Sequence, residues 1–162
     1  MAESIDPQLF RRVLGTVAAP VSVVTSRGDD GPHGTTVSAF CSLSLQPPMV
    51  LVALDRSSDL LALIERSRRY GINVLARGQE AFAQRFARKG RDKFAGVEWK
   101  PEHGGLPRLP GVQAWLACDV GELLPGGDHV IATGHVVGAD YRETEPLVYQ
   151  ERTFWALAEP LR

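Results

Sequence analysis

Apolar and polar side chains alternate between residues 34 and 48: Val37, Ala39, Cys41, Leu43 and Leu45 are apolar, and Thr36, Ser38, Ser42 and Ser44 stand between them, with Phe40 the one interruption. Successive side chains of an extended chain point to opposite faces, so the pattern predicts a strand with an apolar stripe backed by hydroxyls. Small hydroxyls in place of Lys or Glu suit a face that a flat, polar-edged molecule can approach. Pro47 and Pro48 cannot donate to a ladder and are expected to end this strand. Further strands are predicted over residues 20–26, 49–54, 70–76, 112–123, 129–139, 146–150 and 153–157, with a turn at 28–31 and a hairpin at Gly126-Gly127. Asp6 followed by Pro7 predicts a capped helix whose face carries Leu9, Phe10, Val13 and Leu14. A second helix is expected from Ser57 or Ser58 to about Arg68, with Leu60, Leu61 and Ile64 as its apolar side, and a third over residues 79–88 with Phe82 and Phe86. Roughly seven strands and three short helices without regular β-α alternation argue for an antiparallel barrel decorated by helices, not a doubly wound sheet.

Composition narrows the function. Residues 1–162 contain no repeat, low-complexity tract or linker and read as a single domain. A formal charge of −1 offers no bulk field for nucleic acid or an anionic membrane. The longest apolar runs, such as 49–54, are strand-sized. Acidic Glu3 and Asp6 near the start do not form a basic-then-apolar leader, so a cytoplasmic location is expected. Cys41 and Cys118 lack metal-ligand spacing, and no metal site is expected.

No Gly-x-Gly-x-x-Gly and no phosphate-binding Gly-rich loop ending in Gly-Lys-Ser/Thr occurs. Three other stretches carry candidate chemistry. Asp55-Arg56-Ser57-Ser58 precedes a helix, whose free N–H groups and partial positive charge favour phosphate; plain capping is the alternative. Arg85, Arg88, Lys89, Arg91 and Lys93 form the densest basic cluster and end on Phe94, suited to a phosphate or to a solvated helix end. Gly127-Asp128-His129 sets a histidine at a strand mouth beside a carboxylate, where it either meets a ligand or serves the turn.

Taken in order, several segments resemble the flavin reductase family, the small NAD(P)H:flavin oxidoreductase components of two-component flavin-dependent monooxygenases. They are Thr36-Val37-Ser38-Ala39-Phe40 with Ser42, Ser44-Leu45 and Pro47-Pro48, then Asp55-Arg56-Ser57-Ser58, Ile72-Asn73-Val74-Leu75, Lys93-Phe94-Ala95-Gly96-Val97, Gly127-Asp128-His129 and Pro146-Leu147-Val148-Tyr149. The resemblance runs from about residue 10 to 157. It implies a mainly β fold, an antiparallel Greek-key split β-barrel (the FMN-binding split barrel) with a few short flanking helices, paired as a homodimer around its flavins. It implies FMN (or FAD) as cofactor, NADH or NADPH as hydride donor, and a separate flavin-dependent monooxygenase that receives reduced flavin. The positions it points to for the flavin are Thr35, Thr36, Val37, Ser38, Ala39, Ser42, Leu43, Asp55, Arg56, Ser57, Ser58, Asn73, Lys93 and Phe94. His129, as the catalytic candidate, Tyr149 and Arg152 are implied on the nicotinamide side. Two positions depart from the family pattern: Ala39 stands where many relatives carry Ser or Asn, and Gln150-Glu151 replaces a His/Arg-Gly pair. An oxidase or deazaflavin-dependent reductase on the same barrel, and a non-catalytic flavin carrier in electron transfer, are the rival readings.

Overall fold

The computed structural model describes residues 4–157 and Pro160. Among them, helix α1 (Pro7–Gly15) starts at an Asp6 cap that accepts from the Gln8 and Leu9 amides, with Pro7 in the first turn as the sequence predicts. The chain continues through β1 (Ala19–Pro20), β2 (Ser22–Gly28), β3 (Gly31–Val37), β4 (Phe40–Leu45), β5 (Pro48–Asp55), α2 (Asp59–Ser67), β6 (Arg69–Val74), α3 (Glu80–Ala87), β7 (Lys100–Glu102), β8 (Leu106–Arg108), β9 (Ala114–Gly126), β10 (His129–Tyr141), β11 (Val148–Gln150) and β12 (Thr153–Trp155). Seven strands pair antiparallel in the order β3-β2-β6-β9-β10-β5-β4. Inner side chains of all but the edge strand β4 join one buried cluster, including Val24, Val37, Val52, Ile72, Cys118 and Val130, and Leu60, Leu61 and Ile64 of α2 plug into it. Phe40 of β4 packs against the same cluster. The sheet therefore wraps into an antiparallel barrel, left open between its edge strands β3 and β4.

A second apolar cluster covers the outer face of β2, β6 and β9, built from Val23, Leu75, Phe86, Phe94, Trp115 and Leu147 among others. Because both faces of β2 are covered, its hydroxyls are buried and bond internally. Ser22 Oγ donates to the Val37 carbonyl (2.8 Å), Thr25 Oγ1 to that of Pro107 (2.8 Å) and Ser26 Oγ to that of Arg69 (2.8 Å).

The hydroxyl-rich run differs from its expected form. It is not one strand but two, β3 and β4, separated by a bend at Ser38-Ala39 where the Ala53 amide donates to the Ala39 carbonyl at 2.9 Å. Val37 faces the core, whereas Cys41, Leu43 and Leu45 are exposed, so the expected apolar stripe does not share one buried face. Phe40 and Ser42 register with the buried Val52 and Val50 of β5, which sets the Phe40 side of the strand toward the barrel. The strand does end at the prolines as expected: Gln46 and Pro47 form the turn of a tight hairpin, and Pro48 opens β5 opposite Leu45. A small β7–β8 hairpin, registering Lys100 with Arg108 and Glu102 with Leu106, follows α3.

Close packing inside the barrel is tightest at Gly134 of β10. A Cβ there would lie 2.8 Å from Tyr70 Cζ and 2.9 Å from Cys118 Cβ, both rigidly held in the core. Gly134→Ala is expected to cost about 1–3 kcal/mol of unfolding free energy through overpacking. Urea denaturation of the two proteins measures it.

Candidate active site

At the open seam, five elements converge on a cleft of about 650 Å³. The end of β3 and the bend supply Thr35, Thr36, Val37, Ser38 and Ala39; β5 and the start of α2 supply Ala53, Asp55, Ser57, Ser58 and Asp59; the segment after α3 supplies Arg88, Lys89 and Lys93; and β10 supplies His129. The volume lies within the range of about 300–1,000 Å³ typical of small-molecule and cofactor sites.

The β5–α2 turn is built by its own polar side chains. Asp55 Oδ1 accepts from the Ser57 amide (2.7 Å) and from Ser57 Oγ (2.6 Å), and these bonds hold its carboxyl below the usual carboxylate range. Ser58 caps α2, its Oγ accepting the Leu60 amide at 3.2 Å. That leaves the Ser58 hydroxyl proton available to a ligand beside the first-turn amides of a nine-residue helix. Arg56 turns away from the cleft and donates to the Gly127 carbonyl at 2.7 Å, clamping this turn to the β9–β10 hairpin.

Lys93 is the most unusual charge in the cleft. It is 8% exposed, and its Nζ donates to the carbonyls of Gly34 (3.1 Å) and Phe86 (3.0 Å) with no carboxylate in bonding range. An ammonium has three protons, so one donor remains uncommitted. Burial pushes its pKa below the ordinary lysine value, opposed by the charge of Asp59. The loop that carries it is stapled by Arg85, whose Nε donates to the Lys93 carbonyl (2.6 Å) and whose Nη2 donates to that of Ala95. Also on the lining, His129 registers with Asp55 across β10 and β5, and its Nδ1 lies 2.7 Å from Asp128 Oδ1. Asp128 thereby orients the ring and leaves Nε2 as the nitrogen available to a ligand.

Several expected contacts fall outside the cleft. Asn73 is fully buried: its Nδ2 lies 3.2–3.3 Å from the Val23 carbonyl, Thr25 Oγ1 and the Pro107 carbonyl, and its Oδ1 accepts the Leu109 amide at 2.8 Å. It ties β2, β6 and β8 together with no bond left for a ligand. Phe94 packs edge-on against Phe86 (4.9 Å between centroids) and Trp99 (6.0 Å), in the outer core. Ser42 and Leu43 sit on β4 beyond the cleft lining. Thr36 lines the cleft, but its hydroxyl donates to the Ala83 carbonyl at 2.6 Å and so anchors α3. Tyr149 and Arg152 belong to the separate β1-β11-β12 sheet, where Arg152 borders a different cleft with Arg11 and Arg12. Of the basic cluster read as a phosphate site or a solvated helix end, Arg88 and Lys89 line the cleft beside Lys93, and so does His33, which the sequence did not single out. The alternation along β3 was the available signal for His33, which shares the parity of Thr35 and Val37.

Neither sulfur offers chemistry here: Cys41 and Cys118 are free, Cys118 is buried with its thiol pushed up to about 12 by burial, and neither lines the cleft. Among the described residues no group of three or more His, Cys, Asp or Glu side chains is placed to hold a metal, and no helix is long and apolar enough to cross a membrane. An open antiparallel barrel with a cofactor-sized, cation-bearing cleft at its seam, lacking a nucleophile-base pair, is the architecture of a cofactor-binding protein whose own residues position and charge-stabilise a ligand.

Comparison with known proteins assigns the class. The flavin reductase like domain family matches residues 14–158, and the chain belongs to that family. It is 40% identical over 149 residues to the reductase subunit HsaB of a flavin-dependent monooxygenase from Rhodococcus jostii, spanning 91% of this chain and 76% of that protein. It is 39% identical over 166 residues to the flavin reductase (NADH) of Kitasatospora aureofaciens, covering 98% of this chain and 86% of the relative. Among solved structures, the NADH:FAD oxidoreductase SgcE6 of Streptomyces globisporus in complex with NAD and FAD fragments superposes with a TM-score of 0.89 at 33% identity, over 97% of this chain and 98% of that one. These neighbours share the split-barrel fold expected from the sequence.

His33 lies at the cleft edge and is buried; its pKa falls below the ordinary 6.5 because of burial first and the nearby Lys93 charge second, with Asp59 opposing and Arg91 adding. The unfolded chain therefore binds this proton more readily than the folded one between the two values. The His33 contribution to stability is complete above 6.5 and is lost as pH falls through that interval to the folded value. Chemical denaturation of wild type and His33→Gln across this range is expected to show a steeper fall with acidity in the wild type. Parallel curves would mean that His33 titrates as it does in the unfolded chain.

Proposed function

We propose that this chain is an NAD(P)H-dependent flavin reductase that delivers reduced flavin to a separate flavin-dependent monooxygenase. The observation that carries the reading is the cleft at the barrel seam, lined by the buried Lys93 ammonium, the capped α2 N-terminus and the Asp128-held His129. The residues present fit a flavin: a space of about 650 Å³, hydroxyl and ammonium donors for a phosphate, and a backbone bend for the edge of a flat ring.

Bound flavin supplies the redox chemistry, accepting a hydride from the reduced nicotinamide. The chain's part is to bind and orient. Ser58 and the first-turn amides of α2, with Lys93, are placed to hold the phosphate; Ser57, committed to Asp55, keeps that turn in shape. The bend at Ser38-Ala39 and the facing Ala53 give a close backbone approach for the ring edge, with no side chain beyond Cβ at Ala39 or Ala53. His129 is positioned to direct the nicotinamide, its ring held by Asp128. Hydride transfer between nicotinamide and flavin requires no nucleophile from the chain.

The working unit in this reading is a homodimer. Four apolar residues of α1, Leu9, Phe10, Val13 and Leu14, are 45–53% exposed, and no residue of that helix is buried. Leu43 and Leu45 of β4 and Trp155 of β12 add to the uncovered apolar surface. A second copy would cover such faces and bring Tyr149 and Arg152 of one chain toward the cleft of the other. The two free thiols suit a reducing cytoplasm.

Purified protein mixed with NADH and free flavin is expected to oxidise the nicotinamide, and a carrier protein would not. His129→Ala should slow flavin reduction by NADH about a hundredfold, the cost of a misplaced reacting group, with flavin affinity little changed and reduction by dithionite normal. A wild-type rate in stopped flow from folded His129→Ala would leave the histidine a turn residue. Light scattering at micromolar concentration should give about twice the 17.7 kDa chain mass; a monomer would defeat the dimer.

A further inference from the structure

The tip of the β9–β10 hairpin is held by hydrogen bonds, not by packing. Gly126, Gly127 and Asp128 are exposed, and a Cβ at Gly127, whose φ is +71°, would meet no atom within 4 Å. Two donors of one residue reach this tip from outside the hairpin. The Arg56 amide donates to the Asp128 carbonyl at 3.0 Å, and Arg56 Nε donates to the Gly127 carbonyl at 2.7 Å. Arg56 is itself fixed by its turn: Asp55 Oδ1 accepts from the Ser57 amide and hydroxyl, and the Ser58 amide donates to the Asp55 carbonyl at 3.0 Å. Among the described residues Arg56 forms no ion pair, so its guanidinium serves here as a directed donor and not as a countercharge.

We propose that Arg56 is a positioning residue for flavin reduction, acting on the nicotinamide through Asp128 and His129. The proposal rests on the reading of His129 as the residue that directs the nicotinamide. Neither Arg56 nor Asp128 lines the cleft, whereas His129 does. The Gly127 and Asp128 carbonyls belong to the two peptide groups that flank the Asp128 Cα, so fixing both fixes the direction in which its side chain leaves the backbone. That side chain is 91% exposed, and its partner is His129 Nδ1 at 2.7 Å. With no packing around the carboxylate, its backbone sets where it points, and the carboxylate sets the imidazole. Releasing Arg56 lets Asp128 swing, the ring samples several orientations, and the share of complexes with the nicotinamide in line for hydride transfer falls. The same turn carries Ser57 and Ser58, so the segment placed to receive the flavin phosphate also aims the histidine.

Two replacements of Arg56 separate donor geometry from charge. Glutamine is neutral but carries its amide nitrogen as many bonds from Cα as arginine carries Nε, whereas methionine has similar length and no donor. In stopped flow with saturating NADH, Arg56→Met should reduce flavin about tenfold more slowly, with flavin affinity within about twofold of wild type and reduction by dithionite normal. Arg56→Gln should recover the rate to within about threefold of wild type. In a His129→Ala background Arg56→Met should add less than about twofold, because the group it positions is gone. If Arg56→Met fails to fold, Asp128→Ala breaks the same relay without touching the turn before α2. It should slow reduction by a similar factor and be equally silent beside His129→Ala. A wild-type rate for folded Arg56→Met, or the same slowing with and without His129, would overturn the proposal. Weakened flavin binding in both Arg56→Met and Arg56→Gln would also overturn it, making the guanidinium charge a flavin contact. A wild-type rate for His129→Ala would remove the reading of that histidine, and this proposal with it, whereas a slow His129→Ala beside a fast Arg56→Met would remove this proposal alone.

Discussion

The site depends on the failure of the barrel to close. Strands β3 and β4 are consecutive in the chain, yet they lie at opposite ends of the sheet order, joined by the Ser38-Ala39 bend that the Ala53 amide of β5 pins at the Ala39 carbonyl. A fully paired barrel would have spent those backbone groups on a ladder and filled the interior with side chains. The open seam leaves a space walled by backbone and small residues on one side. It also lets three distant segments reach it: the N-terminus of α2, the loop after α3 and the first residue of β10. Arg56 on the Gly127 carbonyl ties the first of these to the third, Arg85 on the Lys93 carbonyl holds the second, and Thr36 on the Ala83 carbonyl anchors α3 ahead of it.

Two buried polar groups show opposite uses of the same rule. Asn73 is surrounded by partners and makes a closed set of bonds, so its burial stabilises the junction of β2, β6 and β8. Lys93 is nearly as inaccessible but has only two carbonyl acceptors, and no anion bonds it. A buried cation left in that condition costs stability and is poised for a negative ligand. Arg88 and Lys89 of the same segment and the α2 N-terminus add positive charge to the cleft lining, moderated by Asp59.

Much of this was legible in the sequence. The Asp6-Pro7 start of α1, the Ser58 cap of α2, the Phe82 and Phe86 spacing of α3 and the glycines of the β9–β10 hairpin are local signals, and local backbone preference decides such features with little help from the rest of the fold. The order of the motifs carried the family, and with it the barrel. What alternation could not decide was which face of a hydroxyl-rich run turns inward. Phe40 goes to the core and Cys41, Leu43 and Leu45 go outward because the chain bends at Ser38, and a bend resets the parity on which the sequence reading depends. Nor could residue type separate Asn73 from Ser58, since both are small polar side chains in matching motifs. One is closed off by three carbonyl or hydroxyl acceptors and an amide donor brought from β2 and the β8 region, and the other keeps a free proton at the mouth of a cleft. Long-range packing alone makes that distinction, because a hydrogen-bond partner dozens of residues away leaves no mark on the residues around it.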